Sequence, residues 1–285
     1  MSSFSLSSIP AVDYVLVGHV SLDMTPHGPR YGGTALYSAL SAKAHGMRVG
    51  ILTSFAGEPP RELKDGFHVI NIPTNKNTVF ENNYHSGFRT QRLLSVAAPL
   101  SLKALPDSWR RAPIVHLAPI ANEISIDGLI DCKPELLTAT PQGWFRDWDE
   151  NGTVRFLDRS GDYQPVFERA ICVFSDEDLD HDEETVERFS HQSRMLVITE
   201  GKHGSRVYWN GDVRRFPARK VEEIDPTGAG DIFATSFFCR LLVTRDPWEA
   251  TRYANEVAAY SVTRAGLLAI PTPGELKLSE IEILH

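Results

Sequence analysis

The chain has 285 residues but only three cysteines, Cys132, Cys172 and Cys239, which are far apart in the sequence. An odd number of widely spaced cysteines argues against both a disulfide framework and a zinc motif, so we expect a reducing, cytoplasmic setting. The sequence also contains no dense cluster of lysine and arginine, and its formal net charge is −8. This charge argues against a nucleic-acid partner.

Apolar segments in this sequence are all shorter than a bilayer-spanning helix, so we expect no membrane-spanning segment. The serine-rich residues 1–10 carry neither a charged region nor an apolar core, which predicts that they are not a signal peptide or an anchor. The length suits one large domain, and we expect residues 1–285 to form a single unit.

Short apolar segments alternate with longer polar ones along most of the chain. Residues 12–18 predict a buried strand, residues 34–46 a helix that stops at a glycine, and residues 48–55 a second strand. A strand, a helix and a strand in this order form a βαβ unit, which predicts an α/β fold with a mostly parallel sheet. Further apolar segments up to residue 199 are separated by segments of helical length, which we expect to continue this alternation.

The most informative segment is Asp225-Pro226-Thr227-Gly228-Ala229-Gly230-Asp231, which is followed directly by an apolar stretch. Its small residues let the backbone approach a ligand closely. The apolar stretch predicts a buried helix, whose first N–H groups have no partner within the helix and can bind an anion. Asp231, at the edge of that anion site, is placed to accept a proton from an attacking hydroxyl. The alternative is an ordinary helix N-terminus with glycines in the preceding turn.

Two common nucleotide-binding motifs are absent from the sequence. No Gly-x-x-x-x-Gly-Lys-Ser/Thr segment occurs, which excludes a Walker-type phosphate loop. Phe233 stands where a dinucleotide-binding fingerprint has its third glycine.

Residues 225–231 resemble the C-terminal signature D-T-x-G-A-G-D of the ribokinase, or phosphofructokinase-B, family of carbohydrate kinases. The resemblance implies a three-layer αβα sandwich with a small β-lid, ATP and Mg²⁺ as cofactors, and a sugar or polyol as acceptor. It implies that Asp225 organises the site and that Asp231 is the catalytic base. It also implies that the amides of Gly228, Ala229 and Gly230 stabilise the transferred phosphoryl group.

Acceptor-binding residues are implied near the start of the chain. Asp23 follows the first strand, and Gly32 and Gly33 resemble the family's N-terminal Gly-Gly motif. A carboxylate can accept hydrogen bonds from two adjacent hydroxyls of a substrate, although a loop aspartate taken alone is usually a turn former. Tyr37 stands about where the family often has asparagine, which argues against ribose-type recognition.

Residues 77–95 predict a hairpin, which the resemblance identifies as the lid that covers the substrate. Arg89 on this hairpin is a candidate contact to substrate or phosphate, or simply a solvated arginine. The segment from His19 to Gly33 is short and is expected to be a loop, so the lid should be slim. A slim lid argues against a lid-mediated dimer, and the protein is expected to be a monomer or a homodimer.

A weaker resemblance, in the segments 109–119 and 138–148, is to the inositol-kinase-like branch of the family. Within the second segment, Gln142 follows a strand end and is a candidate substrate contact.

The remaining implied residues surround the nucleotide and its metal. Nucleotide-binding candidates are Thr199, Gly201, Gly204, Thr227 and Asn255. Metal-binding candidates are Ser175, Asp178 and Asp225. The pair Ser175 and Asp178 replaces the family's Asn-x-x-Glu and would hold Mg²⁺ through water, while the loop around Asp225 binds a monovalent cation in some relatives.

Two alternatives remain open at this point. A nucleoside kinase of the same fold would need an aromatic slot for the base, which Tyr31, Tyr37 and Phe88 offer. A non-catalytic ligand-binding protein that kept the fold is suggested by the altered Ser175 and Asp178, and is opposed by the intact Asp231.

Overall fold

The computed structural model describes residues 10–25, 28–85 and 88–282. The strands are β1 (Tyr14–Val17), β2 (Ser21–Thr25), β3 (Gly28–Gly32), β4 (Val49–Thr53), β5 (Phe67–Asn71), β6 (Thr78–His85), β7 (Phe88–Ser95), β8 (Leu100–Ser101), β9 (Ile114–Leu117), β10 (Ile124–Ser125), β11 (Leu136–Ala139), β12 (Arg146–Trp148), β13 (Val154–Phe156), β14 (Ile171–Ser175), β15 (Met195–Thr199), β16 (Ser205–Trp209) and β17 (Asp212–Phe216). The helices are α1 (Thr34–Ala44), α2 (Gln164–Phe167), α3 (Glu183–Gln192), α4 (Ala229–Thr244), α5 (Pro247–Ser261) and α6 (Pro273–Glu282).

A nine-stranded sheet runs through the molecule in the order β17-β16-β15-β14-β11-β9-β1-β4-β5. Every pairing from β15 across to β5 is parallel, whereas β16 and β17 are antiparallel. Strands such as β1 and β4 are buried along their whole length, which is typical of a parallel sheet covered on both faces. The mostly parallel α/β sandwich predicted from the sequence is therefore confirmed.

Each face of this sheet has its own apolar core. On one face, α1, α4 and α5 pack against alternate residues of the central strands, including Leu16 and Ile51. On the other face, α2 and α3 pack together with Trp109 and Trp144, which are fully buried. Helix α4 is apolar on nearly all sides because it lies between the sheet and α5.

The prediction of regular helical crossovers is wrong in the middle of the chain. The connection from β9 to β11 carries one short strand, β10, and one 3₁₀ turn. The connection from β11 to β14 carries a 3₁₀ turn, the short strands β12 and β13, and the single-turn helix α2. Large aromatic side chains cover the sheet here, in the place that a longer helix would otherwise take. One of them, Trp144, stacks on Tyr163.

A separate four-stranded sheet in the order β3-β2-β6-β7 lies beside the main one. The segment from His19 to Gly33, expected to be a loop, instead forms the β2–β3 hairpin, and β2 pairs in parallel with β6. The small sheet therefore extends beyond residues 77–95, and its function as a lid stays a prediction. Within the described part of the chain, the helices are too short or too polar to cross a bilayer.

Candidate active site

The start of α4 is set by a glycine in a left-handed conformation. Gly228, the N-cap of α4, has φ of 79°, a region that residues with a side chain rarely adopt. A Cβ atom at this position would overlap the ring of Tyr37, whereas a Cβ at Gly230 would meet nothing within 4 Å. The Tyr37 ring therefore packs directly beneath the turn and supports it.

Backbone N–H groups at this turn are available to a ligand. Among the described residues, the N–H groups of Gly228 and Gly230 make no hydrogen bond. The N–H of Ala229, in contrast, donates to the carbonyl of Pro226 at 3.1 Å. The turn and the positive end of the α4 dipole can thus bind an anion through two of the three amides that the sequence suggested.

Asp231 lies in the first turn of α4, half-buried at the same end of the helix. Burial raises the pKa of its carboxyl group to about 7, and the negative charges of Asp178 and Asp23 add to this rise. A hydrogen bond from the Thr34 hydroxyl and the positive charge of Arg146 act in the opposite direction. A carboxylate with a pKa near neutrality is suited to accept a proton at physiological pH.

Sequence reasoning missed Thr34 and Arg146, whose side chains both hydrogen-bond to Gln142. Thr34, the first residue of α1, is buried, and its hydroxyl oxygen accepts from the Gln142 amide at 3.1 Å. The Gln142 carbonyl oxygen in turn accepts from the guanidinium of Arg146 at 2.8 Å. Gln142 lies in the 3₁₀ turn 141–145 and Arg146 begins β12 directly after it, so their closeness in the sequence is the signal that could have linked these two residues.

Asp23 lies on β2, facing the glycine pair in space. A Cβ at Gly32 would overlap the Asp23 carboxylate, so only glycine permits this close approach. Gly33 has φ of 84° and precedes α1 directly. Ser21 donates to the Asp23 carboxylate at 3.0 Å. The structure thus brings Asp23, Gly32 and Gly33 together, and their binding of an acceptor stays a prediction.

Asp225 has a different environment from Asp231. Its carboxylate accepts from the N–H of Thr227 at 2.9 Å and from the N–H of Gly266 at 3.0 Å. Burial alone would raise its pKa, but these hydrogen bonds outweigh burial and the pKa is lowered. Asp225 therefore joins the turn before α4 to the segment that follows α5. A monovalent cation at Asp225 stays a prediction.

Tyr37 lies between the carboxylates of this region. Burial raises the pKa of its hydroxyl, and the negative charges of Asp231, Asp225 and Asp23 raise it further. Three aspartates, two from the motif at 225–231 and one from β2, therefore all act on this one side chain.

Ser175 and Asp178 form a capping box at the carboxyl end of β14. The N–H of Ser175 donates to the Asp178 carboxylate at 3.2 Å, and the Ser175 hydroxyl accepts from the N–H of Glu177 at 3.3 Å. Across residues 10–25, 28–85 and 88–282, no group of three or more His, Cys, Asp or Glu side chains is placed to hold a metal ion.

The nucleotide-binding candidates lie around the end of β15. Thr199 ends this strand, and Gly201 and Gly204 flank the 3₁₀ turn that follows, both with positive φ. Asn255 on α5 is 6% exposed and donates to Ser205 at 3.1 Å and to the Phe216 carbonyl at 3.3 Å. These bonds join α5 to the edge hairpin, and a contact to a nucleotide stays a prediction. Arg89 belongs to β7, but its side chain lies outside the described residues.

Comparison with known proteins agrees with this geometry. A model of the pfkB family of carbohydrate kinases matches residues 168–273, which include the turn before α4 and Asp231. Over these residues the chain is similar to the pfkB family of carbohydrate kinases. The resemblance stated from the motif at 225–231 is thereby confirmed.

Relatives of this chain include enzymes with different acceptors. A cytidine kinase of Thermococcus kodakarensis is 27% identical over 250 residues, which cover 79% of this chain and 87% of that protein. An inositol 3-kinase of Oryza sativa subsp. japonica is 35% identical over 72 residues, covering 25% of this chain and 18% of that protein. These relatives support a carbohydrate or nucleoside kinase of the ribokinase family.

Solved structures support the same fold. A pyrophosphate-dependent kinase in the ribokinase family, complexed with a pyrophosphate analogue and myo-inositol, superposes with a TM-score of 0.76 at 18% identity. The superposition covers 93% of this chain and 99% of that chain. At this identity the likeness shows the ribokinase fold.

Proposed function

We propose that this protein is a kinase that transfers the γ-phosphoryl group of ATP to a hydroxyl group of a sugar or polyol, with an inositol-like polyol as the favoured acceptor. The observation that carries this proposal is the convergence at the start of α4. Amides at Gly228 and Gly230 without acceptors lie beside a carboxylate whose pKa is about 7. One group binds charge on a phosphate and the other removes a proton from the attacking hydroxyl.

Acceptor binding would use the residues that face Asp231. Asp23 accepts hydrogen bonds from neighbouring hydroxyls, and the backbone at Gly32 and Gly33 allows the acceptor to approach closely. Gln142 and Arg89 are further proposed contacts. An inositol-like polyol presents several hydroxyls on one ring, which suits a site with several carboxylate and amide groups.

Asp178 is the residue best suited to hold Mg²⁺, since its charge influences Asp231 and it lies at a strand end beside the proposed phosphate site. Mg²⁺ usually binds through one or two carboxylates together with phosphates and water, so a single carboxylate supported by Ser175 is adequate. When bound, the ion would neutralise charge on the phosphates of the donor. The nucleotide itself is proposed to lie against five residues near this metal site: Thr199, Gly201, Gly204, Thr227 and Asn255.

A nucleoside kinase is the second candidate function, because the cytidine kinase relative aligns with most of the chain. The structure offers limited support for an aromatic slot. Tyr37 is 5% exposed and packs under Gly228, so it is already used within the protein, while Tyr31 is 38% exposed. The side chain of Phe88 lies outside the described residues.

A direct experiment measures product formation across a matrix of acceptors and donors. The purified protein would be incubated with myo-inositol, other polyols, hexoses, pentoses and nucleosides, using ATP or pyrophosphate as donor and Mg²⁺ throughout. We expect a polyol with ATP to give the highest kcat/KM. A nucleoside as best acceptor would favour the second candidate, and pyrophosphate as best donor would contradict the ATP assignment.

Absence of phosphoryl transfer with every pair, together with thermal stabilisation by a polyol, would favour the non-catalytic binding protein. The proposal also includes a cytoplasmic location and a monomer or homodimer.

A further inference from the structure

Four segments of the chain connect the small sheet β3-β2-β6-β7 to the rest of the molecule. They are residues 18–20, Gly33, residues 72–77 and residues 96–99. All four converge on His19, which belongs to the first of them. We propose that His19 is a positioning residue, which fixes the small sheet, and with it Asp23, on the main sheet. This proposal rests on the proposed function, in which Asp23 binds the acceptor.

The imidazole ring of His19 binds the two connections of the β6–β7 hairpin. The ring is fully buried, and its Nε2 donates to the carbonyl of Ala98 at 2.8 Å, since a carbonyl oxygen can only accept. Its Nδ1 accepts from the hydroxyl of Thr78, the first residue of β6, at 2.7 Å. The Thr78 oxygen in turn accepts from the N–H of Ala97 at 3.0 Å. Both ends of the hairpin are therefore bound to one side chain.

The backbone at His19 is bound to segments that follow strands of the main sheet. The N–H of His19 donates to the buried carboxylate of Glu123, in the segment after β9, at 3.1 Å. That carboxylate also accepts from two backbone N–H groups of its own segment, at 2.9 and 2.7 Å. The N–H of Val20 donates to the hydroxyl of Thr53, the last residue of β4, at 3.2 Å. The main sheet thus fixes the backbone of His19 while the His19 ring binds the hairpin.

Gly33, the connection from β3 to α1, passes His19 too closely for a side chain. A Cβ at Gly33 would lie 3.1 Å from the carbonyl oxygen of His19 and 3.1 Å from the backbone nitrogen of Ser21. The chain that leaves the small sheet is therefore packed against the same residue as the chain that enters it.

The position of Asp23 depends on these contacts through the pairing of β2 with β6. Thr78 lies opposite Ser21 in this pairing, and Asp23 lies opposite Phe80. The Ser21 hydroxyl also donates to the Asp23 carboxylate at 3.0 Å. A shift of Thr78 away from His19 would therefore displace Ser21 and Asp23 together, and a displacement of about 1 Å is enough to weaken a binding site.

His19 acts through the small sheet and not on a ligand, because both ring nitrogens have partners within the protein. The small sheet has a second attachment at its β7 edge, where the N–H of Leu93 donates to the carbonyl of Gly152 at 2.8 Å. That hydrogen bond holds the outer strand, whereas His19 holds the connections of the whole sheet.

The main test compares Thr78→Val, which keeps the shape but removes the hydroxyl, with Thr78→Ser, which keeps the hydroxyl. We expect Thr78→Val to raise the KM for the best acceptor about tenfold, since the buried bond to His19 is lost and Asp23 is displaced. The KM for the phosphoryl donor should change by less than about threefold. Thr78→Ser should keep the acceptor KM within about threefold of wild type.

A matched control is Thr138→Val in β11. Thr138 is also fully buried, and its hydroxyl donates to the carbonyl of Val115 within the main sheet. We expect this variant to lose stability, as Thr78→Val does, but to keep the wild-type acceptor KM. A wild-type acceptor KM in Thr78→Val, or an equal rise in both variants, would overturn the positioning role.

A second variant, His19→Leu, tests whether His19 and Thr78 act through the same contact. We expect the acceptor KM to rise at least as much as in Thr78→Val, because the ring binds both ends of the hairpin. Adding Thr78→Val to His19→Leu should raise it no further. Fully additive changes in acceptor KM would contradict a shared contact.

Hydrogen exchange separates this proposal from the proposed function, because it needs no assay of activity. In the free protein, we expect Thr78→Val to speed amide exchange in β2 and β6 about tenfold or more and to leave β11 unchanged. Thr138→Val should show the opposite pattern. Unchanged exchange in β2 and β6 of Thr78→Val would overturn the proposal even in an active enzyme. If the wild type transfers no phosphoryl group but this pattern appears, the proposed function fails and the contact at His19 stands.

Discussion

Asp225 and Asp231 belong to one seven-residue motif, yet their environments shift their pKa values in opposite directions. Hydrogen bonds from the Thr227 side chain and from the backbone N–H groups of Gly266 and Thr227 lower the pKa of Asp225 below the ordinary value. Burial and neighbouring negative charges raise the pKa of Asp231 to about 7. Asp225 is therefore ionised and structural at neutral pH, whereas Asp231 can gain or lose a proton there. The hydrogen-bond donors around a carboxylate, and not the residue type, decide between these roles.

The largest expected effect comes from replacing the carboxylate that titrates. Asp231→Asn keeps the shape but removes the proton acceptor, so we expect kcat to fall about 10²-fold to 10⁴-fold. A coupled assay of ADP formation with the best acceptor would measure this fall. Near-normal turnover in Asp231→Asn would refute its role as the base.

The turn between the two aspartates provides the second test. We expect Gly228→Ala to lose most activity and about 2 kcal/mol or more of unfolding free energy, because φ is 79° and the new methyl group would overlap Tyr37. Gly230→Ala is the matched control, since its methyl group meets nothing within 4 Å. Kinetics and urea unfolding would compare the pair. Equal behaviour of the two variants would contradict the packing of Tyr37 under the turn.

A smaller effect is expected from neutralising the other aspartate. Asp225→Asn weakens the charged hydrogen bonds from Thr227 and Gly266, so we expect a loss of about 1–3 kcal/mol in unfolding free energy. Turnover should fall less than in Asp231→Asn. If Asp225→Asn matched Asp231→Asn in lost turnover with unchanged stability, Asp225 would itself be part of the chemistry.

The smallest effect is the pH dependence of stability. The pKa of Asp231 is higher in the folded protein than its ordinary value of 3.8, so the folded state binds more protons between these pH values. The raised pKa of Asp231 therefore stabilises the folded state fully below about pH 4, and this stabilisation is lost as the pH rises to about 7.

Urea unfolding of wild type and Asp231→Asn from pH 4 to pH 8 would measure the effect. The stability of the wild type relative to the variant should decline up to about pH 7 and then stay constant. A difference that does not vary with pH would show that the Asp231 pKa is not raised.

Much of the fold was predictable because buried parallel strands leave a strong local signal. Continuous apolar segments such as Tyr14–Val17 and Met195–Thr199 are strands in the structure, and the apolar stretch after Asp231 is α4. The hairpin at β6 and β7 was likewise predicted from its alternating residues. These elements are defined by residues close together in the sequence or by a continuous apolar segment that becomes buried. Both features can be recognised from a short stretch of sequence.

Elements that depend on distant partners were not predictable. The β2–β3 hairpin has few buried residues, and it forms where β2 pairs with β6 from far along the chain. Thr34 and Gln142 are 108 positions apart in the sequence, so no local sequence pattern predicts the hydrogen bond between them. The motif at 225–231 indicated the site, while the hydrogen bond between Thr34 and Gln142 required the fold.

The position of Asp23 has a mechanical consequence. Asp23 lies on β2, which is hydrogen-bonded to β6 of the hairpin proposed to cover the site, and its carboxylate faces Gly32 on β3. A rigid shift of this small sheet would carry Asp23 with it. An acceptor held by Asp23 would then be drawn toward Asp231 by the same movement that shuts out solvent, which would couple capture of the acceptor to protection of the donor from hydrolysis.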